Sequence, residues 1–84
     1  MTRDEVLNVV VKHLKANVDN LSGVEIDPQR SLADYGASSL DILEIVAGTM
    51  RDLKIKIPRT ELRGLTNING FVDKLLSVVV ASRS

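Results

Sequence analysis

Two adjacent serines, Ser38 and Ser39, follow Gly36 and precede carboxylates at Asp41 and Glu44 in the run YGASSLDILEIV, residues 35–46. A serine hydroxyl is a useful nucleophile only beside a base. The single histidine, His13, lies far upstream in an apolar-periodic segment, and its position on a helical wheel adjoins polar residues. It reads as exposed and solvated. The chain has no cysteine, no cluster with metal-ligand spacing and no Gly-rich phosphate loop. Acid–base, nucleophilic and metal-assisted catalysis all lack their constellation, so the sequence predicts no intrinsic enzymatic activity. Two uses remain for a serine at the start of a helix. It can cap the helix through its hydroxyl, or it can carry a phosphate ester, which would sit beside unpaired N–H groups at the positive end of the helix dipole.

The elements that position these serines follow from local patterns. Residues 2–21, TRDEVLNVVVKHLKANVDNL, contain many valines, yet Val6, Leu7, Val10, Leu14, Val18 and Leu21 recur at three and four residues and predict a helix. Thr2 and Glu5 have the spacing of a capping box. From Ser22 to Ala37 the periodicity stops among Gly23, Asp27, Pro28, Ser31, Asp34 and Gly36. Ile26 and Leu32 read as anchors for this long loop. A second helix opens at Ser38 or Ser39 and runs to about Leu53. KIKIP then alternates to Pro58, and RTELRGL allows a short turn of helix. A last helix is capped by Thr66 or Asn67, with Ile68, Phe71, Val72, Leu75 and Val79 on one face and a frayed tail around Arg83. The predicted fold class is all-α: a small antiparallel bundle of three main helices plus one short helix, in one domain over residues 1–84.

The second helix is apolar round too much of its circumference. At ~100° per residue, Ile42, Ile45, Val46, Thr49 and Leu53 form a core stripe. Leu40, Leu43, Ala47 and Met50 extend the apolar arc to roughly 220°, where one buried face needs little more than 100°. Glu44 and Arg51 border the extra part. The sequence therefore predicts an exposed apolar strip rimmed by charge, suited to a protein partner.

These features resemble the acyl carrier proteins, whose second helix opens with G-x-D-S-L. The match is Gly36-Ala37-Ser38-Ser39-Leu40, followed by Asp41 and Glu44, with SLADYG before it and IKIP after it. The resemblance covers nearly the whole chain, including the order and length of the helices. It implies that Ser39 carries 4′-phosphopantetheine, derived from coenzyme A, whose thiol holds acyl groups as thioesters. It also implies a partner-recognition surface, taken here as Leu40, Asp41, Leu43, Glu44, Ala47 and Met50. The chain departs from the family at Ser38, where an Asp is usual, at Tyr35, where Leu is usual, and in its net charge of zero. Lys54, Lys56, Arg59 and Arg63 form a basic stretch that a strongly acidic carrier would lack. Arg59 and Arg63 are therefore expected to take part in partner recognition.

Within the family, IPRTELRGLTNI is similar to the free-standing donor carriers of polyketide β-branching cassettes, which supply acetyl or malonyl units to an HMG-CoA-synthase-like enzyme. The implied partners are a phosphopantetheinyl transferase, an acyltransferase or ketosynthase-like decarboxylase, and that synthase-like enzyme. A peptidyl carrier, a fatty-acid carrier and an unmodified helical interaction module are the alternatives. With 11 basic and 11 acidic residues and aromatics at only 2%, neither a basic field nor a stacking surface for nucleic acid is present. No apolar run has bilayer length and the start is polar, so a cytoplasmic monomer away from membranes is expected.

Overall fold

The computed structural model describes residues 2–62 and 67–83. Four helices follow in order: α1 Arg3–Asn17, α2 Ser39–Leu53, α3 Arg59–Leu62 and α4 Ile68–Arg83. A 3-10 turn, Ala33–Tyr35, lies within the long connection between α1 and α2. Among the described residues there is no strand.

Helix α1 opens with the expected capping box. The Glu5 N–H donates to Thr2 Oγ1 at 3.2 Å, and the Thr2 N–H donates to the Glu5 carboxylate at 3.4 Å. It ends four residues before the sequence pattern suggests, at Asn17 instead of Leu21. Asn17 Nδ2 donates to the His13 carbonyl at 2.8 Å, a local bond that competes with helical continuation. Val18 is extended, and Asn20 takes a left-handed conformation with φ 69°. Leu21 still reaches the core from outside the helix.

Helix α1 lies against both α2 and α4. Val6, Val10 and Leu14 of α1 meet Ile45 and Leu53 of α2 and Ile68, Phe71, Val72, Leu75 and Val79 of α4 in one apolar core. All five apolar positions expected of α4 are buried. Asn67 caps that helix, its Oδ1 accepting from the Gly70 N–H at 2.8 Å; Thr66, the other candidate, lies outside the described residues. Of the expected frayed tail, Ser84 lies outside the described residues. Helix α4 continues to Arg83, with the Ser82 hydroxyl donating to the Val79 carbonyl at 3.0 Å and no Gly or Pro to stop it.

Two expectations for the core need correction. Ile42 and Val46 are half-buried instead of sealed, because a cavity faces them. His13 is not a solvated side chain. It is 13% exposed and packs so closely over Gly48 that a Cβ there would lie 2.6 Å from its ring. Its Nε2 lies 2.7 Å from Asp52 Oδ2, and Lys12 Nζ donates to the same oxygen at 3.0 Å. An ionised carboxylate only accepts, so Nε2 carries the proton. This junction fastens α1 to α2.

The Thr49 hydroxyl is fully buried and has no hydrogen-bond partner among the described residues. Thr49→Val keeps the shape and removes the unpaired group, so it should stabilise the fold by about 1 kcal/mol, read from the denaturant midpoint. The hydrogen bond from His13, and then that from Lys12, hold the Asp52 carboxyl below the ordinary carboxylate range. The resulting stabilisation is present above the unfolded carboxylate pKa, near ~3.9, and is lost as pH falls through the lower native value. Thermal melts of the wild type and Asp52→Asn should differ most near neutrality and converge in strong acid.

Candidate functional site

The long loop delivers the two serines to the start of α2 along a series of local bonds. The Ser31 N–H donates to Asp34 Oδ2 at 3.0 Å and the Asp34 N–H donates to Ser31 Oγ at 3.1 Å, closing the entrance to the 3-10 turn. The Asp27 N–H donates to the Tyr35 hydroxyl at 2.6 Å, tying the two ends of the loop's second half. Gly36 leaves the turn with φ 90°, a conformation that disfavours any residue with a Cβ. Ala37 is then buried against the core, and the chain turns into α2.

At that point the two serines take different tasks. Ser38 is the N-cap: its hydroxyl accepts from the Asp41 N–H at 3.2 Å, while the Asp41 carboxylate accepts from the Ser38 N–H at 3.0 Å. Asp41 is thereby engaged in the cap and half-buried. Ser39 is the first residue of the helix and is exposed, and no hydrogen bond engages its hydroxyl among the described residues. An unpartnered hydroxyl on the first turn of a fifteen-residue helix has open solvent for a phosphate ester and nearby N–H groups to receive it.

The exposed strip of α2 starts beside this serine. Leu40 is 74% exposed and Leu43 48%. Glu44 and Ala47 are exposed, and Met50 is half-buried. Leu43, Glu44, Ala47 and Met50 line one side of a groove of about 460 Å³, closed on the other by Ile57 and Leu62. Sequence periodicity on α2 alone missed Ile57 and Leu62, although the alternation of KIKIP placed Ile57 inward. A second cavity, about 250 Å³, lies between Leu32 of the loop, Ile42 and Val46 of α2, Leu62 of α3, and Ile68 and Phe71 of α4. Its lining is mostly apolar, which explains why Ile42 and Val46 remain partly open. Arg59 is the first residue of α3, and Arg63 lies outside the described residues. Among the described residues no group of His, Cys, Asp and Glu side chains is placed to hold a metal ion, and no helix is long and apolar enough to cross a membrane.

A helical bundle presenting a free serine at the head of an amphipathic helix, beside an apolar groove, is the architecture of a carrier domain. The family model for the phosphopantetheine attachment site matches residues 5–75. The polyketide biosynthesis acyl-carrier protein AcpK of Bacillus subtilis is 32% identical over 79 residues, covering 94% of this chain and 96% of that protein. An acyl carrier protein of Campylobacter fetus is 33% identical over 70 residues, covering 83% and 86%. Among solved structures, the acetyl donor carrier crystallised with the HMG synthase of the curacin biosynthetic pathway superposes with a TM-score of 0.78 at 33% identity, covering 90% of this chain and 96% of that one. The chain belongs to the phosphopantetheine-attachment family and is an acyl carrier protein. The family's prosthetic group is covalent 4′-phosphopantetheine.

The two serines should separate in stability measurements. Ser38→Ala removes the cap and should cost about 1 kcal/mol. Ser39→Ala removes an unpartnered hydroxyl and should leave the urea midpoint unchanged within error.

Proposed function

We propose that this single-domain carrier holds an acetyl or malonyl unit on a 4′-phosphopantetheine arm esterified to Ser39 and donates it in polyketide β-branching. The observation that carries the reading is the likeness, over nearly the full length of both chains, to an acetyl donor carrier crystallised with an HMG synthase. The relation to a polyketide carrier over 96% of that protein's length supports the same pathway class. The division of labour between the serines supports the attachment point. Ser38 is engaged in the cap, and Ser39 is exposed without a partner among the described residues.

When bound, the arm supplies a terminal thiol that holds the acyl group as a thioester. The protein's own residues then act as a handle. The α2 N-terminus steadies the phosphodiester, and Leu40, Leu43, Ala47 and Met50 offer apolar contact to each enzyme that visits. No residue of the chain acts as acid, base or nucleophile in the transfer; the arm would supply the thioester linkage, and the receiving enzyme would supply the nucleophile that takes the acyl group as the thiol is released. The partners in order of use are a phosphopantetheinyl transferase, an acyltransferase or ketosynthase-like decarboxylase, and an HMG-CoA-synthase-like enzyme.

The test is intact mass after incubation with coenzyme A and a promiscuous phosphopantetheinyl transferase, followed by acetyl transfer to an HMG-CoA-synthase-like enzyme. The wild type and Ser38→Ala should each gain one phosphopantetheine unit, and Ser39→Ala none. Modification of Ser39→Ala would move the attachment to another residue. A fully loaded wild type that never passes acetyl to the synthase would remove the β-branching role and leave the carrier role standing.

A further inference from the structure

We propose that the exposed face of α2 ends in a second recognition element, a cationic patch of Arg51, Lys54 and Lys56, which selects a protein partner bearing carboxylates at the matching place. The inference rests on the reading that this chain hands its acyl group to a dedicated enzyme, and it names the chemistry by which that enzyme is chosen.

The placement follows from helical geometry. Arg51 stands one turn beyond Ala47, and Lys54 one turn beyond Met50, so both continue the strip where its apolar part stops. At ~1.5 Å per residue they lie roughly 18–22 Å along the axis from Ser39. Lys56 is exposed between Ile55 and Ile57, which are 7% and 5% exposed and turn inward.

These cations are also free. Arg3 pairs with Asp73, Lys74 with Glu61 and Lys12 with Asp52. Asp52, the carboxylate nearest in sequence, is held on the other side of the helix by His13 and Lys12. Arg51, Lys54 and Lys56 are exposed and form no ion pair among the described residues.

The backbone supplies an independent observation. Lys54 terminates α2 in the left-handed conformation, φ 57° and ψ 43°. Its N–H donates to the Arg51 carbonyl at 3.2 Å and the Ile55 N–H donates to the Met50 carbonyl at 3.0 Å, the paired bonds of a helix stop that glycine normally makes. A Cβ is disfavoured in this conformation. Among the described residues the lysine side chain makes no hydrogen bond in return. A residue that lowers stability where glycine would serve points to a role outside the fold.

Charge along the groove defines what fits it. Glu44 stands toward the serine end, Leu43, Ala47, Met50 and Ile57 form the apolar middle, and the three cations occupy the far end. The complementary surface is a protein ridge, apolar in the centre, basic near its own acyl entrance and acidic about 20 Å away. Such a gradient fixes the register of docking and repels enzymes that are basic throughout. The selective charge proposed here sits at the end of α2.

The experiment uses the full-length acetyl-loaded protein and measures kcat/KM for transfer across a salt series, with an HMG-CoA-synthase-like enzyme and a fatty-acid ketosynthase as acceptors. Sedimentation of each variant runs alongside. Arg51→Glu/Lys54→Glu/Lys56→Glu should lower kcat/KM at low salt by about tenfold or more, through KM, and flatten its salt dependence. Loading at Ser39 should stay within about twofold, because the patch lies beyond the ~8 Å screening length from it. Lys54→Gly should raise Tm by about 4 °C while lowering kcat/KM, two changes of opposite sign that a structural role cannot produce together. A triple variant transferring at the wild-type rate throughout the salt series would overturn the proposal. So would charge reversal that abolishes self-association and leaves transfer unchanged, since the patch would then join two copies of this chain. If the wild type serves only the ketosynthase, the β-branching reading fails, and the same variants on that enzyme still decide the patch: a wild-type rate there overturns it.

Discussion

The architecture depends on how a long irregular loop is fastened to the start of α4. The first N–H groups of any helix lack partners within it. In α4 the Ile68 N–H donates to the Arg30 carbonyl and the Asn69 N–H to the Pro28 carbonyl, each at 2.9 Å. The loop therefore supplies what the helix lacks, and the helix holds a segment with few regular bonds of its own. From that fixed point the Asp27–Tyr35 bond and the left-handed Gly36 carry the chain to the head of α2. The direction in which Ser39 faces solvent is a consequence of this docking. The same docking sets Leu32 opposite Ile42 and Val46 and so forms one wall of the smaller cavity.

Helix α2 has to satisfy two surfaces at once. Ile45, Thr49 and Leu53 are buried, and His13 of α1 closes over Gly48 where α1 and α2 approach. The opposite side keeps Leu40 and Leu43 in water. Exposed leucines gain nothing in the isolated fold, so their presence is consistent with burial in transient complexes. A carrier that meets several enzymes must release each of them. On the proposed reading, a narrow apolar strip with charges at its ends would provide moderate adhesion with a defined register, since interfacial charge governs encounter and orientation more than final affinity.

The acyl carrier resemblance was legible because its signals are local. Thr2 with Glu5 and Ser38 with Asp41 stand three residues apart, and each capping box closes through bonds within a single turn. The apolar period of α4 put all five core residues on one face before any partner was known. Excess apolar surface on α2 was likewise a property of one helix. Less visible was the destiny of residues whose surroundings come from elsewhere. His13 adjoins polar neighbours on its own helix, yet Gly48 and Asp52 of α2 enclose it. Ile42 and Val46 belong to the apolar stripe of α2, but the loop and α4 leave a cavity before them.

By itself the sequence determined where helices start, which stripes are apolar and which pair of serines heads α2, because capping and periodicity depend on neighbours three or four positions away. The stop of α1 at Asn17 was harder to read, since a side-chain bond to His13 competes there with a helical pattern that continues to Leu21. Tertiary structure alone decided that Ile57 and Leu62 complete the groove with α2, that Arg30 and Pro28 cap α4, and that Asp52 turns to α1 and leaves Arg51, Lys54 and Lys56 without an ion pair among the described residues. Each of these is a contact between segments far apart in the chain. Its energy depends on how the helices cross, and no local pattern of residues encodes that geometry.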